Sequence, residues 1–198
     1  ARQQKAGPGG LWLAGRARSG IRPDCFRYDQ LLEVTGEIEA DGVPHAFAGM
    51  GLRSHVRGAR DLSGMAGTCW MSGLFSGRRG FGVLVNVAED GRYVVSEACL
   101  CEGGVIEPAR ILQFPRHHRD LDEGRFWIQL ASDRLGAVDI LGEDTRAFYW
   151  SMPDWAAPAR GIAPVYARVA DYGVVMKQAL ARYTWNGEIG FGHNERSG

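Results

Sequence analysis

The densest run of polar side chains lies between two apolar stretches, at GMGLRSHVRGARD, Gly49 to Asp61. Within it Arg53, His55 and Arg57 recur at every second residue. In a β-strand that spacing puts all three on one face, because successive side chains point to opposite sides. Facing a pocket, such a row suits acid–base work on a polar group of a bound molecule. Histidine is the natural proton carrier, since its ordinary pKa lies nearest neutrality, and arginine orients oxygen-rich groups through its fork of N–H donors. His55 and the carboxylate of Asp61 are therefore the candidate catalytic residues, with Arg53, Arg57 and Arg60 as candidate ligand-binding residues. The same spacing equally fits a row that faces solvent, with Arg60 and Asp61 pairing only with neighbours.

Other chemistries find less support. The four cysteines, Cys25, Cys69, Cys99 and Cys101, form no CxxC pair and no metal-type spacing with histidine. Cys99 and Cys101 share a strand face, where a disulfide would be strained, so buried reduced thiols in a cytoplasmic protein are expected. His117 and His118 are adjacent and would point to opposite faces, which argues against shared metal ligation. No phosphate-binding glycine loop or G-x-S-x-G elbow is found, so neither a metal nor a cofactor is expected. Basic and acidic residues balance at 23 each, which gives no general reason to expect nucleic acid or an anionic surface as partner. No apolar run approaches the ~20 residues of a membrane-spanning helix.

The elements that must carry these residues read as β throughout. Glycine numbers 28 of 198 residues, about twice the usual ~7%, as frequent turns or bent strands require. From Leu31 onward, short apolar or alternating runs are punctuated by Asp41-Gly42, SGRRG, Glu89-Asp90-Gly91, EGG, DRLG and Asn186-Gly187. Asp-Gly and Asn-Gly are strong hairpin signals because both residues must accept positive φ. Nine or ten strands result, with AVDILGE and TRAFYW read as separate ones and residues 172–182 read as strand despite their helix formers. The fold expected is an all-β, antiparallel lipocalin-like barrel or strongly curled up-and-down sheet. It occupies residues 31–198. Residues 1–30, basic and glycine-rich, read as a poorly ordered tail or the remnant of an upstream module; their apolar patch Leu11 to Ala14 is too short for a signal-peptide core.

Two motifs carry a family resemblance. GMGLRSHVRGARDL, Gly49 to Leu62, resembles the G-x-G-x-R-D-H-S-W-G-x-R-D-W signature of the AttH-like and carotenoid 1,2-hydratase-like proteins. The ending RYTWNGEIGFGHNE, Arg182 to Glu195, is similar to their closing R-x-x-x-D-G-x-x-G-x-G-x-x-E. The resemblance implies a calycin-type protein of two lipocalin-like modules with an apolar ligand near the motif residues, this chain being the second module. It also implies structural roles for Gly49, Gly51, Gly58, Gly190, Gly192 and Glu195, the last holding the first motif through Arg53 or Arg60. The chain departs from the signature at Ser54, Arg57 and Leu62, where aspartate and two tryptophans are expected. A guanidinium at 57 would repel the carbocation that an indole there would stabilise, which argues against carotenoid hydration itself.

The function expected is binding of a hydrophobic small molecule of terpenoid, steroid or polyketide type, with hydration, isomerisation or cyclisation by placed acids and bases. The alternative is a non-catalytic carrier, or a structural β module of a two-module protein. Trp70 and Trp185 are candidate ligand-binding rings, with ordinary core as the competing reading. The partners expected are the ligand and either an upstream β module or a second copy.

Overall fold

The computed structural model describes residues 11–15, 26–57, 65–115, 124–152 and 174–197. All regular structure among them is β: β1 (Leu11–Gly15), β2 (Phe26–Ala40), β3 (Val43–Arg57), β4 (Met65–Phe75), β5 (Arg79–Ala88), β6 (Tyr93–Glu102), β7 (Val105–Gln113), β8 (Arg125–Ser132), β9 (Gly136–Met152), β10 (Val174–Trp185) and β11 (Glu188–Ser197). Strands β4 to β11 run up and down, each antiparallel to the next, and β11 returns to pair with β4, closing an eight-stranded barrel. This is the all-β, lipocalin-like barrel expected from the sequence. Strands β1, β2 and β3 form a separate antiparallel sheet. It lies across the outside of the barrel, with β1 touching β6 and β3 touching β11. Strand β1 thus falls inside the stretch read as a basic tail, and the first motif rides on the outer sheet. Among the described residues no helix is long and apolar enough to cross a membrane.

The turn chemistry matches the sequence signals. Asp41 and Gly42 have φ of 52° and 77°, and Asn186 and Gly187 have 51° and 80°, the paired positive values of a type I′ hairpin turn. Of the run 172–182, the described residues 174–182 lie in strand β10 rather than in a helix, because its odd positions face the barrel lumen. The two runs 137–143 and 145–150 join into one strand, β9, which a bulge carries past the break. Leu180 pairs with Arg146 and Ala181 with Asp144, leaving Thr145 between them, and its hydroxyl donates to the Leu180 carbonyl at 2.9 Å. The bulge absorbs one residue, so the same face of β9 points inward on both sides of it.

The lumen is filled. Met71, Phe81, Val83, Leu100, Ile128, Leu130, Ile140 and Tyr183 are fully buried, and each large apolar side chain contributes ~1.5–3 kcal/mol by leaving water. Eight strands leave an interior just wide enough for such packing. Phe81 and Tyr183 meet edge to face at 4.9 Å, which is possible because Gly73 has no Cβ to intrude on either ring. The end bearing the tight turns is sealed by Trp185, whose ring packs against Phe75 at 5.7 Å and lies 5.1 Å below the Arg79 guanidinium. Arg79 in turn pairs with Glu102 at 2.5 Å and Glu188 at 2.9 Å.

The glycines of the closing motif serve closure of the barrel. A Cβ on Gly192 would collide with the Ser72 carbonyl of β4, and one on Gly190 with the Leu74 carbonyl and the Phe75 ring. Gly49 of the first motif has open space around it. Gly192→Ala is therefore expected to cost about 2–4 kcal/mol in chemical denaturation, and Gly49→Ala to stay within about 0.5 kcal/mol. Equal effects would refute this assignment.

Two fully enclosed groups weaken the fold at alkaline pH. Burial pushes the Cys69 thiol from 9.0 up to about 12 and holds the Tyr183 phenol well above its ordinary value. Both pKa values are raised in the folded state, so the stability they contribute is complete below the unfolded values and is lost as pH rises past them. Denaturation midpoints are expected to fall from about pH 9 upward, with a limiting slope of about 1.4 kcal/mol per pH unit for each group. In Cys69→Ala the fall between about pH 9 and 10 should be reduced but not abolished, because burial also raises the Cys101 thiol.

Candidate functional site

The two sequence motifs, far apart in the chain, meet on the outside of the barrel. Strand β3 carries residues 49–57 of the first, β10 and β11 carry the second, and β3 touches β11. Between them runs a half-open groove of about 360 Å³. Gly51 forms its upper lip, and Gly192 and His193 of β11 form its floor beside Leu74, Leu180 and Phe148. Stacked sheets lie ~10 Å apart, with side chains filling the gap. Gly51 adds no side chain of its own to that gap, and a Cβ there would meet the Val34 side chain at 3.3 Å.

The outward faces of β9, β10, β11 and β4 form ordered cross-strand rows. One row reads Phe148, Gln178, Glu195 and Trp70, and the next reads Arg146, Leu180, His193 and Ser72. The groove therefore has apolar and polar parts side by side. Gln178 donates its amide N–H to the Glu195 carboxylate at 2.7 Å. The Trp70 ring meets the His193 imidazole edge-on at 4.6 Å between centroids. From inside the barrel the Tyr183 hydroxyl donates to the His193 carbonyl at 2.9 Å, tying the groove floor to the core. Chemically the groove offers an apolar bed with an imidazole, an amide and a nearby carboxylate at one side.

The sequence candidates separate into three groups. Gly51, Gly192 and, at the side of the groove, Trp70 and Glu195 come together. Arg53 and His55 follow Gly51 on the same face of β3 and are exposed, and Arg57 ends that strand. Glu195, expected to hold the first motif, bonds to Gln178 of β10. Gly58, Arg60 and Asp61 lie outside the described residues, as do Cys25, His117 and His118. Trp185 does not reach the groove, because an odd position on β10 points it into the lumen, where it is 2% exposed beneath Arg79. Gln178, Leu180 and Phe148 belong to the site without having been singled out. Their signal was the outward face of β9 and β10, which alternation alone cannot label as wall or core.

A second polar cluster sits inside the barrel toward the end with the longer connections. Lys177 pairs with Asp144 at 2.5 Å, Arg196 approaches the same carboxylate at 3.6 Å, and all three side chains are at most 5% exposed. The Asn194 amide donates to Asp144 at 2.7 Å, and the Arg196 guanidinium lies 4.9 Å over the Phe126 ring. One carboxylate thus serves two buried cations. Cys69, Cys99 and Cys101 are buried free thiols. Among the described residues no group of three or more His, Cys, Asp or Glu is placed to hold a metal ion.

Comparison with known proteins adds the fold relationship. The chain is similar to the crystal structure of a protein from Nitrosomonas europaea provisionally described as an AttH, with a TM-score of 0.54 and 15% sequence identity. The match covers 95% of this chain and 55% of that one, so this chain spans little more than half of that protein's length. No protein-family model and no curated protein matches the sequence. The likeness establishes an AttH-like fold.

Asp144→Ala is expected to destabilise the chain by about 3–5 kcal/mol, because it removes the carboxylate that two buried cations share. Asp144→Asn, which keeps the volume but not the charge, should recover only part of that loss in chemical denaturation. A loss below about 1 kcal/mol in both variants would show that the cluster is not held by that carboxylate.

Proposed function

We propose that this chain binds a hydrophobic small molecule, of terpenoid, steroid or polyketide type, in the groove between β3 and the outer wall of the barrel. The observation that carries the reading is the convergence of both motifs, through Gly51, Gly192 and His193, on one groove with apolar walls. Ligand pockets are typically apolar concavities with a few placed polar groups. The packed lumen also favours a site outside the barrel. In this reading Leu180, Phe148 and Phe191 hold the apolar body, and Gln178 and Glu195 orient a hydroxyl or carbonyl group. The arginines at 53, 57 and 60 attract an acidic tail.

A proton-transfer step extends the proposal. His193 lies on the groove floor, and His55 is on the strand that forms its lip, with Asp61 as the carboxylate partner assigned from sequence. Either imidazole has the chemistry to give or take a proton at the ligand, which suffices for hydration, isomerisation or cyclisation of an apolar substrate. Tyr183 is unsuited to that role, because its hydroxyl is committed to a backbone carbonyl and burial disfavours its anion.

The test is native mass spectrometry of freshly isolated protein together with titration of the fluorescent probe anilinonaphthalene sulfonate. Leu180→Asp and Phe191→Asp are expected to weaken binding by roughly tenfold to a hundredfold, the worth of one buried apolar side chain. His193→Ala and His55→Ala should leave binding within a few-fold while abolishing any turnover of a co-purified molecule. Unchanged probe binding in both aspartate variants would place the ligand elsewhere.

A further inference from the structure

Among the described residues the outer sheet stops one strand short of the apolar wall beneath it. Its order is β1-β2-β3, and the barrel order beneath runs β6-β5-β4-β11-β10-β9. Because β1 touches β6 and β3 touches β11, one further step past β3 lies over β10 and β9. Under the existing sheet the wall is covered: Ser72 and Cys99, both with outward-facing side chains, are buried. Beyond β3 the wall is bare, with Phe148, Leu180 and Phe191 each more than half exposed.

The backbone edge above that bare wall is also open. Among the described residues β3 pairs with β2 alone. A two-residue turn makes its flanking residues, Ala40 and Val43, a hydrogen-bonded pair, so odd residues of β3 direct their N–H and C=O groups toward β2. The even residues from Ala46 to Val56 direct theirs outward. Pro44 falls in the even set, which places its missing N–H on the open edge, the position where a strand tolerates proline. The edge is also one-sided in charge: residues 43–57 contain Arg53, Arg57, His45 and His55 and no Asp or Glu.

We propose that an extended, acidic polypeptide strand pairs with the outer edge of β3 and roofs the groove. Its backbone continues the sheet, its apolar side chains rest on Leu180 and Phe148 opposite Gly49 and Gly51, and its carboxylates stand opposite Arg53 and Arg57. Strand addition draws affinity from the main chain and selectivity from alternate side chains, and opposite charges on facing positions favour the pairing. The inference rests on the free edge and the bare wall; it deepens the ligand reading by turning an open groove into an enclosed one, but does not require a ligand.

The probe is a fluorescein-labelled peptide of about ten residues, threonine at alternate positions and, on the other face, three glutamates followed by two valines. Antiparallel to β3, this order sets the glutamates opposite Arg57, His55 and Arg53 and the valines opposite Gly51 and Gly49, over the apolar wall. Saturable binding is expected by fluorescence anisotropy, with slowed amide exchange at Ala48, Met50, Leu52 and Ser54 and none added at the odd residues between them. Met50→Pro deletes an outward N–H, and replacing the glutamates by lysine reverses the charge. Each should weaken binding roughly tenfold or more, while anilinonaphthalene sulfonate binding to the Met50→Pro chain stays unchanged and so reports separately on the ligand reading. The proposal is overturned if no saturable binding appears at millimolar peptide, or if binding ignores both changes. It is equally overturned if the even amides of β3 are already protected in the chain alone, or if the chain dimerises through β3 and the peptide cannot compete.

Discussion

Closure of the barrel depends on how near the backbone of β11 can come to that of β4. Gly190 and Gly192 alternate along β11 where the carbonyls of Leu74 and Ser72 press against it, and any side chain there would force the strands apart. With that seam closed, no strand of the barrel is left with an unpaired edge. The inward residues of all eight strands are then committed to one lumen, and the outward residues of β4 and β11 to one continuous wall. Core and groove are therefore two sides of a single pairing, linked by the Tyr183 hydroxyl on the His193 carbonyl.

The two ends of the lumen are finished differently, for reasons of charge and connection length. At the end with tight turns, Trp185 sits beneath Arg79, whose partners Glu102 and Glu188 are partly exposed. Charges there remain near water and add little individually. At the other end Lys177, Arg196 and Asp144 are enclosed. Ions removed from water must be compensated where they stand, and the Thr145 bulge preserves the inward face of β9 through that region while Asn194 engages the carboxylate.

The outer layer explains why a groove exists at all. A sheet laid on a barrel wall normally seals to it with interdigitating side chains, as over Cys99 and Ser72. The seal is incomplete beside Gly51, and among the described residues no strand continues past β3. The glycines of the two motifs thus differ in setting: Gly51 lines the groove from the outer sheet, and Gly190 and Gly192 allow two strands to touch.

Much of the fold was legible in the sequence because it rests on local chemistry. Asp41-Gly42 and Asn186-Gly187 accept the positive φ of type I′ turns and so dictate two hairpins, and alternation along β10 outweighs its helix formers because its odd residues must fill a lumen. The break between 143 and 145 was misleading, since a bulge is defined by the partner strand. Convergence of Gly51 with Gly192 and His193 was anticipated only as a resemblance between motifs. Alternation shows that Trp185 and Leu180 lie on opposite faces of β10 but cannot say which face is lumen and which is wall. The sequence by itself determined the strands, their turns and the two faces of each. Barrel closure decided the inner face, and the position of the outer sheet decided which part of the outer face became a groove, because both depend on pairings between residues distant in the chain.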